Sequence, residues 1–319
     1  RNGPAVIHVA GTNGKGGTVF ALESLFLTAG YSVLSFTTPH VRRMHECYRL
    51  DGRTVGDAGL IELSDRLSAT GVPLTLFEAQ TGLAFLLADQ QRPEVILLEC
   101  GMGGRDDATN IAENKIAAVI TNVGLDHTEY LGDTIPEIAR VKTGIFRPGV
   151  PALTAAADEG AIAVLQNQTD EIGTELRLLW RDWSYHMRDD RFTLETGIAT
   201  FRARLQDAVP ATHLANFALA ATTCTRLGIA SDPELLGRAL ESCRPPGRYQ
   251  ELDSRTVAGA LGPDWTVVLD VAHNAMAAHA LAAECREHLT RLKPRPELVL
   301  VLGMQRRKRA RCFLRAFRG

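Results

Sequence analysis

The beginning of the chain carries the feature that restricts its fold most, an apolar run that leads through a glycine-rich turn into a helical stretch. The apolar run is Ala5–Ala10, and the helical stretch is Thr18–Ala29. Glycines allow backbone N–H groups to turn inward around phosphate oxygens, and a helix N-terminus adds partial positive charge. A lysine in the turn can reach the terminal phosphates of a nucleotide. We therefore predict a phosphate-binding loop made of Gly11, Thr12, Asn13, Gly14, Lys15, Gly16, Gly17 and Thr18.

Apolar runs continue to alternate with helical stretches beyond this loop. Val95–Glu99 and Ala117–Val123 are rich in Val, Ile and Leu, as expected for strands with both faces buried, and Val33–Phe36 and Val150–Leu153 are further predicted strands. Arg191–Leu205 alternates weakly, which indicates an antiparallel hairpin or edge meander. Strands that alternate with helices are typical of a parallel sheet covered by helices. The predicted fold class is α/β, with a mostly parallel sheet.

A proline- and glycine-rich segment, Arg244–Arg248, interrupts this pattern and is the best candidate for a linker. We predict a nucleotide-binding domain over residues 1–243, a linker at 244–250 and a smaller, apparently incomplete α/β domain at 251–319. The second domain is predicted from a strand, a helix and a strand: Val267–Asp270, Ala275–Leu292 and Leu298–Leu302.

Overall charge and cysteine usage limit the classes of partner. The formal net charge is −2 and the sequence pI is about 6.5, so no broad basic surface favours nucleic acid or an anionic membrane. The 6 cysteines are scattered without CxxC pairs, which favours reduced thiols over a disulfide framework or a zinc site. We found no leader and no apolar run long enough to span a bilayer. We expect a cytoplasmic monomer that binds small molecules and neither nucleic acid nor membrane.

Short motifs follow one another along most of the chain. They are Gly11-Thr12-Asn13-Gly14-Lys15-Gly16, Thr38-Pro39-His40, Phe77-Glu78, Glu99–Asn110, Asp126-His127 with Leu131-Gly132, Lys142–Ile145, Gly247-Arg248 and Asp270–Asn274. Together they resemble the motifs of the folylpolyglutamate synthase and dihydrofolate synthase family, relatives of the Mur ligases. The agreement of so many motifs in one order makes the resemblance specific. It implies a Mur-ligase-like central domain that binds ATP.

The predicted strands also bring polar residues to one edge of the sheet. Glu99 ends one strand and Asp126-His127 follow another, so both should emerge at the carboxyl edge, where open α/β sheets bind ligands. Such groups are plausible partners for hard cations beside a triphosphate, although each in isolation is more often structural. The resemblance implies that one or two Mg²⁺ ions are approached by Thr18, Thr38, Glu99 and His127. The chain departs from the family type at two of these places, because Gly17 and Thr38 each replace a usual serine.

The remaining site residues also follow from the resemblance. It implies catalytic roles for Lys15, His127 and Lys142, with Lys142 carbamylated by CO₂, and a substrate region formed by Phe77, Glu78, Arg105 and Asp107. It further implies that the nucleotide is contacted by Asn216, Arg248, Asp270 and His273. The residues alone leave other roles open: a helix cap or turn for Asp107, a salt bridge for Arg248 and a cap for Asp270.

The resemblance implies an ATP-dependent ligase that joins a folate-type carboxylate to L-glutamate through an acyl phosphate. Two carboxylate substrates are open within this function: tetrahydrofolate or a folylpolyglutamate, and dihydropteroate. Two alternatives stay open at this stage. The first is a truncated or inactive nucleotide-binding homologue, and the second is a Mur-like ligase that acts on a non-folate acid.

Overall fold

The computed structural model describes residues 3–205, 209–230, 232–262, 265–292, 296–305, 308 and 310–318. The chain divides into two compact units. Unit 1 comprises residues 1–208 and 214–243, and unit 2 comprises residues 209–213 and 244–319. Residues 209–213 group with unit 2, whereas the sequence prediction placed them in the first domain.

Unit 1 is built on an eight-stranded sheet. Its strands are β1 (Ala5–Ala10), β2 (Val33–Phe36), β3 (Tyr48–Leu50), β4 (Arg53–Thr54), β5 (Val95–Glu99), β6 (Lys115–Ile120), β7 (Ala152–Thr154) and β8 (Leu176–Leu178). The order is β4-β3-β2-β5-β1-β6-β7-β8, with parallel pairing from β2 to β8 and antiparallel pairing only at β3 and β4. The fold prediction of an α/β unit with a mostly parallel sheet is confirmed.

Strand composition explains why the centre of this sheet is parallel and covered. The consecutive residues Leu97 and Leu98 on β5, and Val119 and Ile120 on β6, are completely buried on the two strands that flank β1. Apolar residues in succession along a strand require cover on both faces, which the helices of a parallel α/β unit provide.

The helices of unit 1 are α1 (Lys15–Thr28), α2 (Asp57–Ser68), α3 (Leu76–Gln91), α4 (Thr128–Leu131), α5 (Ile135–Lys142), α6 (Glu159–Ile172), α7 (Ala211–Arg226) and α8 (Pro233–Ser242). The first three residues of α7, 211–213, group with unit 2. Side chains of α2 and α3 pack against β2 and β3 in one apolar cluster, and those of α5 and α6 pack against β6 and β7 in another. The prediction started α1 at Thr18, but the helix begins at Lys15 because the turn of the loop closes at Gly14, its left-handed N-cap.

A separate three-stranded antiparallel sheet also belongs to unit 1. Its strands are β9 (Ser184–Arg188), β10 (Arg191–Glu195) and β11 (Thr200–Arg204), in the order β11-β10-β9. The antiparallel pair within Arg191–Leu205 is therefore confirmed. The third strand, β9, was missed.

Unit 2 contains β12 (Gln250–Glu251), α9 (Ser254–Leu261), β13 (Val268–Leu269), α10 (Ala275–Arg291) and α11 (Ala310–Arg315). The two strands pair antiparallel, and Phe313 packs with α10. The predicted strand at Leu298–Leu302 is wrong: these residues lie outside any ladder in the described part of the chain, and Val301 is 92% exposed. An apolar run becomes a strand only where a neighbouring strand accepts its hydrogen bonds. The described helices include none with both the length and the apolar character to cross a bilayer.

Candidate functional site

Four adjacent strands, β2, β5, β1 and β6, end at the same edge of the sheet in unit 1. The segments that follow them begin at Thr37, Cys100, Gly11 and Thr121. Register places Glu99 beside Val9, one residue before the end of β1. The carboxyl edge of an open parallel sheet is where such folds bind ligands, so these segments form the candidate site.

The loop after β1 is held tightly by the segment after β6. The Thr12 and Asn13 N–H groups donate to the backbone and side-chain oxygens of Asn122, each at 2.9 Å, and the Thr121 hydroxyl donates to the Asn13 carbonyl at 2.6 Å. At Gly11 the φ angle is +149°, and a Cβ built there would lie 1.8 Å from Thr121 Oγ1. Only glycine fits at this position, because a side chain would have to occupy the space of the threonine.

The turn into α1 is closed by Asn216, which projects from α7. A Cβ built on Gly14 would lie 2.6 Å from Asn216 Oδ1, and one built on Gly17 would lie 2.3 Å from Asn216 Nδ2. The Thr18 hydroxyl donates to Asn216 Oδ1 at 3.4 Å, and Thr18 is completely buried. The structure therefore brings Asn216 to the phosphate loop itself.

Two lysines point at one backbone oxygen of the loop. Lys15 Nζ donates to the carbonyls of Gly11 and Thr12, both at 3.2 Å, and Lys142 Nζ donates to the Gly11 carbonyl at 3.0 Å. Lys142 is only 2% exposed. Burial lowers the pKa of Lys142 from 10.5 to about 7, and the nearby charge of Lys15 acts in the same direction. The lowered pKa makes the uncharged amine of Lys142 accessible near neutral pH.

Glu99 is a buried carboxylate of the site, with 3% exposure. Its Oε2 accepts the Thr38 N–H at 3.0 Å, so the loop after β2 is attached to the end of β5. A carboxylate beside a phosphate loop suits a hard cation such as Mg²⁺. Of the four predicted metal partners, Glu99 and Thr38 adjoin one another.

The other two predicted metal partners lie differently. The Thr18 hydroxyl is turned toward Asn216 rather than toward Glu99. His127 has a left-handed backbone, with φ +49°, and its own N–H donates to Asp126 Oδ1 at 2.9 Å. The His127 ring lies 3.9 Å from the Asp126 carboxylate. In the described part of the chain, His, Cys, Asp and Glu side chains do not gather in groups of three or more with metal-binding geometry.

The glycine-rich turn after β5 is a rigid structure of its own. A Cβ on Gly101 would lie 2.5 Å from the Phe77 ring, so this predicted substrate residue packs directly on the turn. Asp107 is 8% exposed; its Oδ2 accepts the Met102 N–H at 2.8 Å, and its Oδ1 accepts the Thr109 N–H at 3.0 Å and hydroxyl at 2.5 Å. Both carboxylate oxygens are thus engaged in shaping the turn, which corresponds to the capping role that the sequence left open.

The two remaining predicted substrate residues are exposed. Glu78 completes a capping box at the start of α3, because its carboxylate accepts the Thr75 N–H at 2.7 Å and its own N–H donates to the Thr75 hydroxyl. Arg105 donates through Nη2 to the Arg140 carbonyl at 3.2 Å. The capping box gives Glu78 a structural role at the start of α3, and its substrate role stays a prediction.

A buried polar group below the turn was missed from the sequence. His8, in the middle of β1, contacts Thr109 Oγ1 at 2.7 Å and Cys100 Sγ at 3.0 Å through Nε2, while its Nδ1 is buried without a partner. Burial and then the charge of Lys115 hold the pKa of His8 well below 6.5, so the ring is neutral. The available signal was a histidine inside an otherwise apolar strand. His8 connects the centre of β1 to the glycine-rich turn through these contacts.

The predicted nucleotide ligands of unit 2 have local partners. Arg248 Nη1 donates to the Pro246 carbonyl at 2.9 Å. Asp270 accepts the N–H groups of Tyr249 and Ala272, both at 2.7 Å, and His273 Nδ1 lies 3.0 Å from the Val271 carbonyl. Asp270 therefore joins the segment after residue 248 to the turn after β13.

Comparison with known proteins gives a consistent assignment. Residues 9–221 match the model of the Mur ligase middle domain. The chain is 34% identical to the dihydrofolate synthase/folylpolyglutamate synthase of Escherichia coli strain K12, over 94% of this chain and 67% of that protein. The structure of E. coli FolC in complex with ADP superposes with a TM-score of 0.80 at 31% identity, over 92% of this chain and 67% of that one. A bifunctional folylpolyglutamate synthase/dihydrofolate synthase with Mn, AMPPNP and L-glutamate bound superposes with a TM-score of 0.78 at 31% identity, over 90% of this chain and 67% of that one.

Proposed function

The chain belongs to the dihydrofolate synthase/folylpolyglutamate synthase family of Mur ligases, and we propose that it is an ATP-dependent ligase that joins a folate-type carboxylate to L-glutamate. The observation that carries the proposal is the phosphate loop at the carboxyl edge of the sheet, with Lys15 at the start of α1 and Glu99 at the end of β5. E. coli FolC has been solved with ADP, and a further relative with Mn, AMPPNP and L-glutamate.

The first step is phosphoryl transfer. A carboxylate oxygen of the folate-type substrate attacks the γ-phosphorus of ATP, the bond to the β-bridging oxygen breaks, and ADP leaves from an acyl phosphate. The charge of the transferred phosphoryl group is stabilised by the N–H groups at the start of α1 and by Lys15, whose ammonium exchanges the carbonyls of Gly11 and Thr12 for phosphate oxygens.

The second step forms the amide. The amine nitrogen of L-glutamate attacks the acyl carbon, a tetrahedral intermediate forms, and its collapse expels inorganic phosphate while the nitrogen gives up a proton. The donors that hold the phosphoryl group also bind the leaving phosphate. Phe77, packed on the glycine-rich turn, is a predicted substrate residue beside this edge.

Glu99 and Thr38 are the residues that would hold Mg²⁺, which supplies charge neutralisation to the phosphates when bound. Glu99 is prepared for this role by its burial, because a carboxylate removed from water gains from a bound cation. His127, in the Asp126-His127 motif after β6, stays a predicted metal ligand.

Lys142 is proposed to be carbamylated. Its uncharged amine nitrogen attacks the carbon of CO₂, an electron pair moves onto oxygen, and the nitrogen loses a proton, which leaves a carbamate with one negative charge. Lys15 and Lys142 contact the same Gly11 carbonyl, so two ammonium groups repel each other there. Carbamylation converts that repulsion into attraction and supplies hard oxygens beside the proposed cation.

Phosphate release tests the proposal. Purified protein with Mg²⁺ and ATP is assayed with a reduced folate alone, with dihydropteroate alone, with L-glutamate alone, and with each acid plus L-glutamate. We expect release only when an acid and glutamate are both present. ATP binding without release under any of these conditions would identify an inactive homologue, and release with a non-folate acid would identify a different substrate class.

A further inference from the structure

The side-chain amide of Asn110, at the end of the motif that contains the glycine-rich turn, uses every hydrogen bond that it can make. Its Nδ2 donates to the carbonyls of Arg105 and Gly144, at 2.8 and 3.1 Å. Its Oδ1 accepts from Lys115 Nζ at 2.6 Å and from Arg147 Nη2 at 2.9 Å. An amide offers two N–H donors and an oxygen with two acceptor positions, so the group is saturated. Asn110 therefore joins the glycine-rich turn to β6 and to the segment after α5.

An aspartate could not replace this amide, although two cations meet its oxygen. A carboxylate at position 110 would neutralise Lys115, which is 5% exposed, and Arg147. It has no N–H group, however, and it would bring a charged oxygen against the carbonyl oxygens of Arg105 and Gly144. What distinguishes asparagine from aspartate here is therefore the pair of bonds to these two backbone oxygens.

The two segments that the amide joins are in direct backbone contact beside Lys142. A Cβ built on Gly104 would lie 2.9 Å from the Lys142 carbonyl oxygen and 3.2 Å from its Cα. A Cβ built on Gly144 would lie 2.4 Å from Arg105 Cα. The Arg105 N–H donates to the Val141 carbonyl at 2.9 Å. The backbone of Lys142 therefore lies directly against the glycine-rich turn, with no side chain between them.

The Lys142 amine depends on this backbone contact for its place at the phosphate loop. The side chain is 2% exposed, and its Nζ donates to the Gly11 carbonyl at 3.0 Å. Close packing prevents the side chain from compensating for a shift of its own backbone. A misplacement of about 1 Å at a reacting group costs about a hundredfold in rate. The contact between the turn and the end of α5 can therefore control the reactivity of Lys142.

We propose that Asn110 is a positioning residue for Lys142. Through its bonds to the Arg105 and Gly144 carbonyls it holds the glycine-rich turn against the end of α5, and this keeps the Lys142 amine where it reacts with CO₂. Asn110 acts through Lys142 and not on the reacting carboxylate. The inference rests on the proposed function, and on the carbamylation of Lys142 within it, for the chemistry that the amine performs.

Carbamate formation tests the proposal directly. ¹³C NMR of the full chain in ¹³C-labelled bicarbonate detects the carbamate carbon, and the signal that is missing from Lys142→Met belongs to Lys142. Asn110→Asp keeps the size of the side chain and loses both donors. We expect this variant to need about tenfold more bicarbonate than the wild type for the same signal, the equivalent of one hydrogen bond. Saturating bicarbonate should then restore its rate of phosphate release.

Asn114→Asp is the matched control, because Asn114 makes the same kind of contact at a different place. Its Nδ2 also donates to two carbonyls, those of Gly3 and Pro4, at 2.8 and 3.1 Å. Asn114→Asp should therefore lower the thermal midpoint but leave the bicarbonate requirement at the wild-type value. If Asn110→Asp does not fold, Asn110→Ala provides the second measurement. It lacks the repulsion between oxygens and should give an intermediate requirement.

The outcomes separate the positioning role from a general loss of stability. An equal bicarbonate requirement in Asn110→Asp and Asn114→Asp would overturn the proposal. The absence of a Lys142 carbamate signal in the wild type would overturn it as well. A wild-type carbamate signal without ligase turnover would refute the proposed function and leave this inference intact.

Discussion

Replacing Lys142 with methionine should stabilise the folded chain while it removes activity. The lysine is 2% exposed, and burial together with the charge of Lys15 lowers its pKa from 10.5 to about 7. The unfolded chain therefore binds more protons than the folded chain between these two values, so the stability of the wild type rises with pH across that window. Methionine has similar length and no proton to lose.

The magnitude follows from the two pKa values. At pH 7 the protonation difference costs the wild type roughly 4 kcal/mol of unfolding free energy, and at pH 9 roughly 2 kcal/mol, by the linkage relation with one pKa unit worth about 1.4 kcal/mol. The stability advantage of Lys142→Met should thus shrink by about 2 kcal/mol from pH 7 to pH 9. Lys115, whose pKa burial also lowers to about 7, is present in both proteins and cancels in the difference.

Urea unfolding of both proteins at pH 7, 8 and 9, in buffer freed of CO₂, measures this difference. Addition of bicarbonate should then stabilise the wild type more than Lys142→Met, because the variant lacks the Lys142 amine that is proposed to form the carbamate. A stability difference that is independent of pH would refute the argument from the buried amine. A wild-type rate of phosphate release in Lys142→Met would refute its catalytic role.

Three further substitutions address the phosphate loop and the turn beside it. Lys15→Ala should lower phosphate release at least about a hundredfold, the typical effect of losing a charge-stabilising donor, with an unchanged thermal midpoint; comparable release would remove Lys15 from the mechanism. Gly11→Ala should cost roughly 1–3 kcal/mol of unfolding free energy, as overpacking does, since its Cβ meets the Thr121 hydroxyl, and unchanged urea unfolding would contradict the close approach. Asp107→Asn should cost about 1–3 kcal/mol of unfolding free energy, because an amide cannot accept hydrogen bonds at both of its end atoms. Urea unfolding measures this cost, and a loss of folate binding at unchanged stability would indicate substrate contact instead.

The sequence predicted the parallel sheet and the loop at its edge well, because both depend on local patterns. Apolar strands with buried faces, such as Val95–Glu99, and glycines before Lys15 carry their structure in a few consecutive residues. The strand predicted at Leu298–Leu302 failed for the opposite reason. A strand needs a neighbouring strand to accept its hydrogen bonds, and an apolar segment alone does not specify that neighbour.

Roles that depend on distant contacts were less accessible. The sequence left a cap and a substrate contact open for Asp107, and the hydrogen bonds to Met102 and Thr109 show the cap. The position of Asn216 over Gly14 and Gly17 joins segments about 200 residues apart, which no spacing rule predicts. His8 was overlooked because a strand pattern records only that a residue is buried, not what it contacts.

Isotope transfer from substrate to phosphate tests the central proposal most directly. A folate-type acid labelled with ¹⁸O in the reacting carboxylate is incubated with ATP, Mg²⁺, L-glutamate and the protein, and the released phosphate is analysed by mass spectrometry. Transfer through an acyl phosphate leaves one carboxylate oxygen on phosphorus, so each phosphate released should carry one ¹⁸O. Unlabelled phosphate, with both labelled oxygens retained by the acid, would contradict activation of the carboxylate by ATP at this site.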